Sequence, residues 1–357
     1  MGKFMQQAAN RDYSKYWQDP KTFPAIFQVK KPPITGRPIS VLDNYLRCVK
    51  GEHPLWMPVY GWESDIIWPD TIEEHPVPEK NGYDWWGTEW QEGGEIGGMC
   101  VSSGTRVISD FCAWKEELEW PDLSLVDFAA DGRKLSANFD PDRPHLYECV
   151  EGLFERLHEI IPFEEALLAF YAEPELLEEF FEKMADYKIE CCRKIIENYG
   201  RVDGVLYHDD WGTQLSGFFS AKMFKEQIMP QTSRILDYIK KQGKFIELHS
   251  CGRNVDYVPY FIEMGVDMWT PQPGINDKDD LFEKYNDKIT FGFDVPINTE
   301  MSEKEIVASI HEFVERYGAN GRVMAWFVPD SIKPELLPMA REELYHYSRE
   351  YYERLYK

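Results

Sequence analysis

The sequence predicts an α/β fold, specifically a (β/α)8 TIM barrel preceded by an N-terminal arm and carrying an aromatic-rich cap. Three observations predict it. From about residue 145 onward, short apolar runs alternate with amphipathic runs of helical period, the pattern of parallel βα units. The length of 357 residues fits one large barrel as well as two smaller domains. No glycine-rich dinucleotide turn or phosphate loop follows any strand, which removes the doubly wound alternative's usual signature.

Taken in order, residues 1–38 are polar, with aromatics and the stretch KKPPITGRP, and read as an arm. The remainder, 39–357, reads as the barrel. Residues 39–52 have apolar positions at helical spacing and end at Gly51, which predicts a helix. The run LWMPVYG (55–61) reads as a buried strand. Residues 62–130 break into Trp, Gly and Pro, with a hairpin expected within 97–111, and read as an irregular cap or lid. Strands follow at 145–152, 202–210, 244–252, 266–273, 289–296 and 322–329. Helical runs lie between them, the longest (165–200) broken at Pro174, and a last helix covers 334–355. That gives seven strands with 55–61; the eighth is expected within 84–128.

Composition narrows the function. The chain has 39 basic and 63 acidic residues, a net charge of −24. Such a surface repels phosphate backbones and argues against nucleic acid. No apolar run reaches the roughly 18 residues of a membrane span, and the start has no apolar signal region. Seven cysteines without a paired spacing point to a reducing, cytoplasmic setting.

In a barrel the chemistry sits at the C-terminal ends of the strands. The richest end is Glu247-Leu248-His249-Ser250-Cys251-Gly252. Alternate residues on a strand share a face, so Glu247, His249 and Cys251 point one way, and all three residue types ligate zinc. Residues i and i+4 on a straight strand are roughly 13 Å apart, so Glu247 is a third ligand only if the strand curls; otherwise it supports the ligands from behind. The strand end at His208-Asp209-Asp210-Trp211 offers adjacent carboxylates, of which one can face the cavity while the other caps a helix. Gln272 and Asp294 are polar candidates at two further strand ends.

The run H-D-D-W-G-T-Q (208–214), Pro230, the strand end H-S-C-G (249–252) and F-I-E-M-G-V-D (261–267) together resemble the uroporphyrinogen decarboxylase superfamily. More closely they resemble its cobamide-dependent methyltransferase branch. The run R-C-V-K-G-E-H-P-L-W-M-P-V (47–59) is similar to the family's opening helix and first strand, and the likeness covers about residues 39–350. Two departures bear on the subclass. The arginine-rich motif with which the decarboxylases grip propionates is missing, the early arginines being Arg11, Arg37 and Arg47. The later cysteine that completes the zinc site of methylcobamide:coenzyme M methyltransferases is also missing, since no Cys follows Cys251.

The resemblance therefore implies the substrate:corrinoid methyltransferase of anaerobic O-demethylase systems. Such an enzyme is zinc-dependent and moves a methyl group from a methoxylated aromatic compound to the cob(I)alamin of a corrinoid protein. The alternatives are a methylcobamide:thiol or methylcobamide:pterin methyltransferase or, further off, a decarboxylase; a silent subunit that docks a corrinoid protein is the non-enzymatic rival. Zinc would be held by His249, Cys251 and Glu247. Asp209 or Asp210 would act on the leaving oxygen or order the metal's surroundings. Tyr60, Trp62, Trp85, Trp86, Trp211, His208, Gln272 and Asp294 would line the substrate pocket, with Trp68 and Trp90 beside them. The chain has no D-x-H-x-x-G corrinoid motif, so the cobalamin would arrive on a partner protein that docks transiently. The other partner is a small-molecule methyl donor, and the sequence also admits a homodimer.

Overall fold

The computed structural model describes residues 31–69, 71–75, 82–92 and 99–357. Most of the expected arm, and the Gly-rich part of the expected hairpin at 97 and 98, lie outside these residues.

Seven strands form one parallel sheet in the order β1 (Asp65–Ile67), β4 (His145–Cys149), β5 (Gly204–His208), β6 (Phe245–Ser250), β7 (Met268–Pro271), β8 (Thr290–Asp294) and β9 (Val323–Trp326). A two-stranded antiparallel ribbon, β2 (Trp90–Glu92) and β3 (Met99–Val101), stands apart from it. The sheet is curled. Side chains of one face, such as Tyr147, Val205 and Leu248, pack with the surrounding helices in one large apolar core, while Ile66, Leu146, Phe245, Met268 and Met324 form a separate cluster with Tyr45, Cys48 and Val49. The strand Gly204–His208 (GVLYH) is apolar up to its last residue, whereas Phe245–Ser250 (FIELHS) sets Glu247 and His249 between apolar neighbours.

The strand missing from the sequence reading is Asp65–Ile67, not a segment of 84–128, whose described residues add only the ribbon's two strands. The run 55–61 forms a single parallel bridge, Val59 with Ala325 of β9. Two features keep it from becoming a full strand. Pro58 can accept from the Ala325 N–H but has no N–H of its own to continue the ladder. The Val59 carbonyl, which alternation turns away from β9, is taken by the Glu63 N–H, so among the described residues no ladder joins it to β1.

The helix Val41–Lys50 covers one end of the sheet. Ser40 caps its start by accepting from Asp43 N, and Gly51 ends it with φ of 69°, a conformation that favours glycine. Its last carbonyls, at Cys48 and Val49, accept from Thr290 Oγ1 at the start of β8. The long helical run divides at Pro174, as expected, into Phe163–Ala172 and Pro174–Asn198. Among the described residues no helix is long and apolar enough to cross a membrane.

Candidate active site

Register brings the site together. In the β5–β6 ladder His208 is paired with His249, and their rings stack at 4.9 Å with an interplanar angle of 23°. Beyond the strand ends the chain turns so that Asp210 joins them. One donor atom from each of His208, Asp210 and His249 lies within 4.8 Å of the others. The Cys251 thiol sits 3.4 Å from His249 Nε2.

The outer atoms of these groups are fixed. His208 Nδ1 lies 3.0 Å from Glu155 Oε2, and His249 Nδ1 lies 2.9 Å from the Thr270 carbonyl. Nδ1 can only donate to that carbonyl, which leaves the Nε2 lone pair of His249 facing the cluster. Asp210 Oδ1 accepts from Cys251 N at 2.5 Å, and Gln272 Oε1 accepts from Gly252 N at 2.7 Å. The loops after β5 and β6 touch at their backbones. A Cβ on Gly252, whose φ is 88°, would meet the Gly212 carbonyl group at 2.2 Å, so only glycine allows the approach.

The adjacent carboxylates divide their work. Asp209 is buried and accepts from Phe154 N at 3.2 Å and Glu155 N at 2.9 Å. It therefore caps the helix Leu153–Ile160, whose own cap position, Gly152, has no side chain to do so. A Cβ at Gly152 would collide with the Asp209 carboxyl at 2.4 Å. Burial pushes the Asp209 carboxyl up to about 7, against the pull of the two amides.

The cluster's electrostatics are set by burial and like neighbours. Burial works against charge on His208, but the Glu155 and Asp210 carboxylates outweigh it and hold the imidazole well above its ordinary range. His249 goes the other way, down to about 4, through burial and the charge of His208. Burial and Asp210 push the Cys251 thiol up. Around the rim, burial takes Glu148 up to about 7. Burial would also raise Glu151, but a hydrogen bond with Glu159 and the charges of His75, Arg156 and His208 bring it down to about 2. Glu151 is held at φ of 52°, and its carboxylate lies 3.3 Å from His75 Nε2; a non-glycine residue there carries about 1–3 kcal/mol of strain.

The remaining sequence candidates are spread more widely. Glu247 is fully buried and accepts from Thr270 Oγ1 at 2.9 Å. The Tyr60 hydroxyl is a further partner, and burial pushes the carboxyl up to about 7; it stands outside the three-group cluster. Tyr60 packs edge-on to Trp326 at 5.3 Å. Asp294 accepts from Lys278 at 3.0 Å. Trp86 is buried, donates to Glu74 at 3.1 Å and packs against Trp120 and Tyr187; half-buried Trp85 also meets Tyr187. Trp211 is buried among Phe224 and Phe261. Trp62 lines a different cavity, with Arg341.

Glu155 and Thr270 were not among the sequence candidates. Glu155 lies just inside a helix that follows β4, in the amphipathic run LFERLHEI. Extending the search from the end of β4 into the first turn of the next helix could have found it; helical periodicity hid it.

Residues 152–307 match the family model described as Uroporphyrinogen decarboxylase (URO-D), a stretch that holds His208, Asp210, His249 and Cys251. No curated protein matches the chain. Among solved structures, a methyltransferase from Methanosarcina mazei aligns with a TM-score of 0.65 at 13% identity, over 88% of this chain and 99% of that one. The 3-keto-D-glucoside 4-epimerase YcjR from E. coli aligns with a TM-score of 0.29 at 11% identity, over 61% of this chain and 92% of that one. The chain thus resembles the uroporphyrinogen decarboxylase superfamily, in sequence over residues 152–307 and in the fold that the Methanosarcina mazei protein shares.

Proposed function

We propose that this protein is a zinc-dependent methyltransferase that transfers a methyl group from a methoxylated aromatic compound to the cob(I)alamin of a separate corrinoid protein. The observation that carries the reading is the convergence of His208, Asp210 and His249 at the strand ends, in a fold similar to that of a methyltransferase. In the same reading the sheet is a (β/α)8 barrel with the Val59 segment as its eighth stave, and of the segment 62–130 the part after the strand Asp65–Ile67 is its cap.

The donors fit zinc. Two imidazoles and a carboxylate form a three-ligand set that leaves a position open, and Cys251 stands beside His249 as a further ligand. Zinc held there would act as a Lewis acid toward the ether oxygen and ease its departure as a phenolate. The chain's own residues prepare that event. Glu155 and the Thr270 carbonyl orient the two imidazoles. Asp210, tied to Cys251 N, keeps the loops after β5 and β6 in register. Asp209 holds the helix that carries Glu155. Tyr60 and Trp326 supply aromatic surface for a flat ring. The aryl O–CH3 bond breaks with its electron pair left on oxygen, and the methyl group goes to the partner's reduced cobalt at the open ends of the strands.

Purified protein should hold about one zinc per chain, and it should methylate cob(I)alamin from methoxyarenes but not from dialkyl ethers. His249→Ala should lose both the metal and the transfer, read by metal analysis and by the cobalamin spectrum. Methylation of a thiol from methylcobalamin, with every methoxyarene inert, would move the assignment to a methylcobamide:thiol methyltransferase.

A further inference from the structure

A second convergence of charge lies where residues 31–37, the turn 59–65 and the start of the helix Leu337–Leu355 meet. A cavity of about 300 Å3 opens there, lined by Pro32, Pro33, Arg37, Trp62, Glu63 and Arg341 among others. It shares no lining residue with the His208 cluster.

The cations around it are poorly compensated. Arg143 is fully buried; its Nη2 donates to the Pro32 carbonyl at 2.7 Å, but its Nε and Nη1 have no hydrogen-bond partner among the described residues. The nearest carboxylate oxygens, on Asp65 and Asp140, stand off at 3.9 Å. Lys31 Nζ is 3.8 Å from the same Asp65. Arg341 forms no ion pair with any described residue, and its Nε is buried without a partner. The three cations repel one another. Burial, with Arg143 and Arg341, brings Lys31 down to about 8 against the pull of Asp65, and burial with Arg143 brings Arg341 down to about 10. A chain of net charge −24 has no shortage of carboxylates, yet half-buried Arg341 is given none and buried Arg143 none closer than 3.9 Å.

Arg37 provides the contrast on the same wall, since its guanidinium forks onto Glu342 at 2.9 and 3.4 Å. Arg341 instead lays its guanidinium on Trp62, 3.7 Å from the ring centroid, with Arg143 at 5.3 Å from the same ring. A stacked guanidinium keeps its N–H edge free for the two parallel hydrogen bonds that fit a carboxylate. Glu63, the other acid on the wall beside Glu342, is held by Trp56 Nε1 at 3.1 and 3.2 Å.

We propose that this cavity is a binding site for a small organic carboxylate, gripped by Arg341 with Arg143 behind it, its apolar body resting on Pro32, Pro33 and Trp62. The site is independent of the methyl-transfer reading. Isothermal titration of the full-length protein with isobutyrate at low ionic strength should show one site per chain. Arg341→Met, which keeps the apolar stem over Trp62, should weaken it at least about tenfold, the loss of one charge-assisted grip. Zinc content and thermal midpoint of that variant should stay as in the parent, and Arg341→Lys should bind at an intermediate level. Absence of binding to the parent protein, equal binding by Arg341→Met, or binding of inorganic phosphate with none of isobutyrate would each overturn the proposal.

Discussion

The helix Leu153–Ile160 stands between two buried clusters of ionisable groups, and the two are built on opposite plans. On one side Arg156 is surrounded. Its guanidinium reaches Asp84 at 2.8 Å, Glu159 at 2.9 Å and Glu74 at 2.5 Å, and Lys188 reaches Glu74 at 3.1 Å. Charge is met by charge within the cluster: the cations come from the helices Leu153–Ile160 and Pro174–Asn198, and the carboxylates from Glu74, Asp84 and Glu159. On the other side, one residue earlier, Glu155 orients His208, and the donor atoms of His208, Asp210 and His249 converge on a common point. Burial of charge therefore does not by itself mark a site. A group paired within the protein holds the fold, whereas donor atoms that converge on one point, as those of His208, Asp210 and His249 do, can hold a ligand in common.

The largest break in this comparison is at Arg156. Arg156→Met should lower unfolding free energy by about 3–5 kcal/mol, because Asp84 and Glu159 are left buried without their cation and Glu74 keeps only Lys188. Denaturant unfolding measures it, and a loss below about 1 kcal/mol would mean that the network does not hold the segment 62–130 in place.

A buried carboxyl with neither plan sharpens the contrast. Glu63 accepts from Trp56 Nε1 and from the Val59 backbone, and burial, only partly opposed by these bonds and by the charges of Arg37 and Arg143, pushes it from 4.5 up to about 7. The folded protein then keeps a proton there that the unfolded chain releases above pH 4.5. Stability due to this group is full below pH 4.5, falls as pH rises toward 7 and levels off above it, by roughly 3 kcal/mol in all. Glu63→Gln should remove that fall, as seen by comparing parent and variant unfolding curves from pH 5 to 8.

The smallest effect belongs to Glu155, a positioning residue for His208. Glu155→Gln should reduce zinc affinity or methyl transfer by about 10–100-fold while leaving unfolding nearly unchanged. A variant that unfolds readily but retains full metal affinity would place Glu155 with Arg156, on the structural side of the helix.

The part of the fold that was legible in the sequence is the part where each strand is followed directly by its helix. The run around Tyr207 is apolar, and the one around Glu247 sets apolar residues between polar ones; both are bounded by polar turns, and the structure has strands there. The strand Asp65–Ile67 was not legible. Three residues carry no periodicity, and the pairing that makes them a strand is with His145–Tyr147, nearly 80 positions away. The site shows the same division. His249 and Cys251 could be read as neighbours from alternation alone, and they do meet. The stacking of His208 on His249 depends on the β5–β6 register, which local pattern does not contain. The division of labour between Asp209 and Asp210 likewise depended on a helix start that lies 54 and 55 positions earlier.

The capped helix start has a consequence for how this chain can change over generations. Gly152 is pinned against Asp209, and Phe154 and Glu155 hang from the same carboxylate, so the helix is anchored at its first turn. Adding or deleting one residue between Gly152 and Glu159 would rotate everything beyond the change by about 100°. A change before Glu155 would carry Glu155 off His208 and Arg156 away from its acids together; a change just after Arg156 would separate it from Glu159. Substitutions in this stretch can be absorbed one at a time, but its length cannot drift, and natural variation here should appear as exchanged residues without gaps.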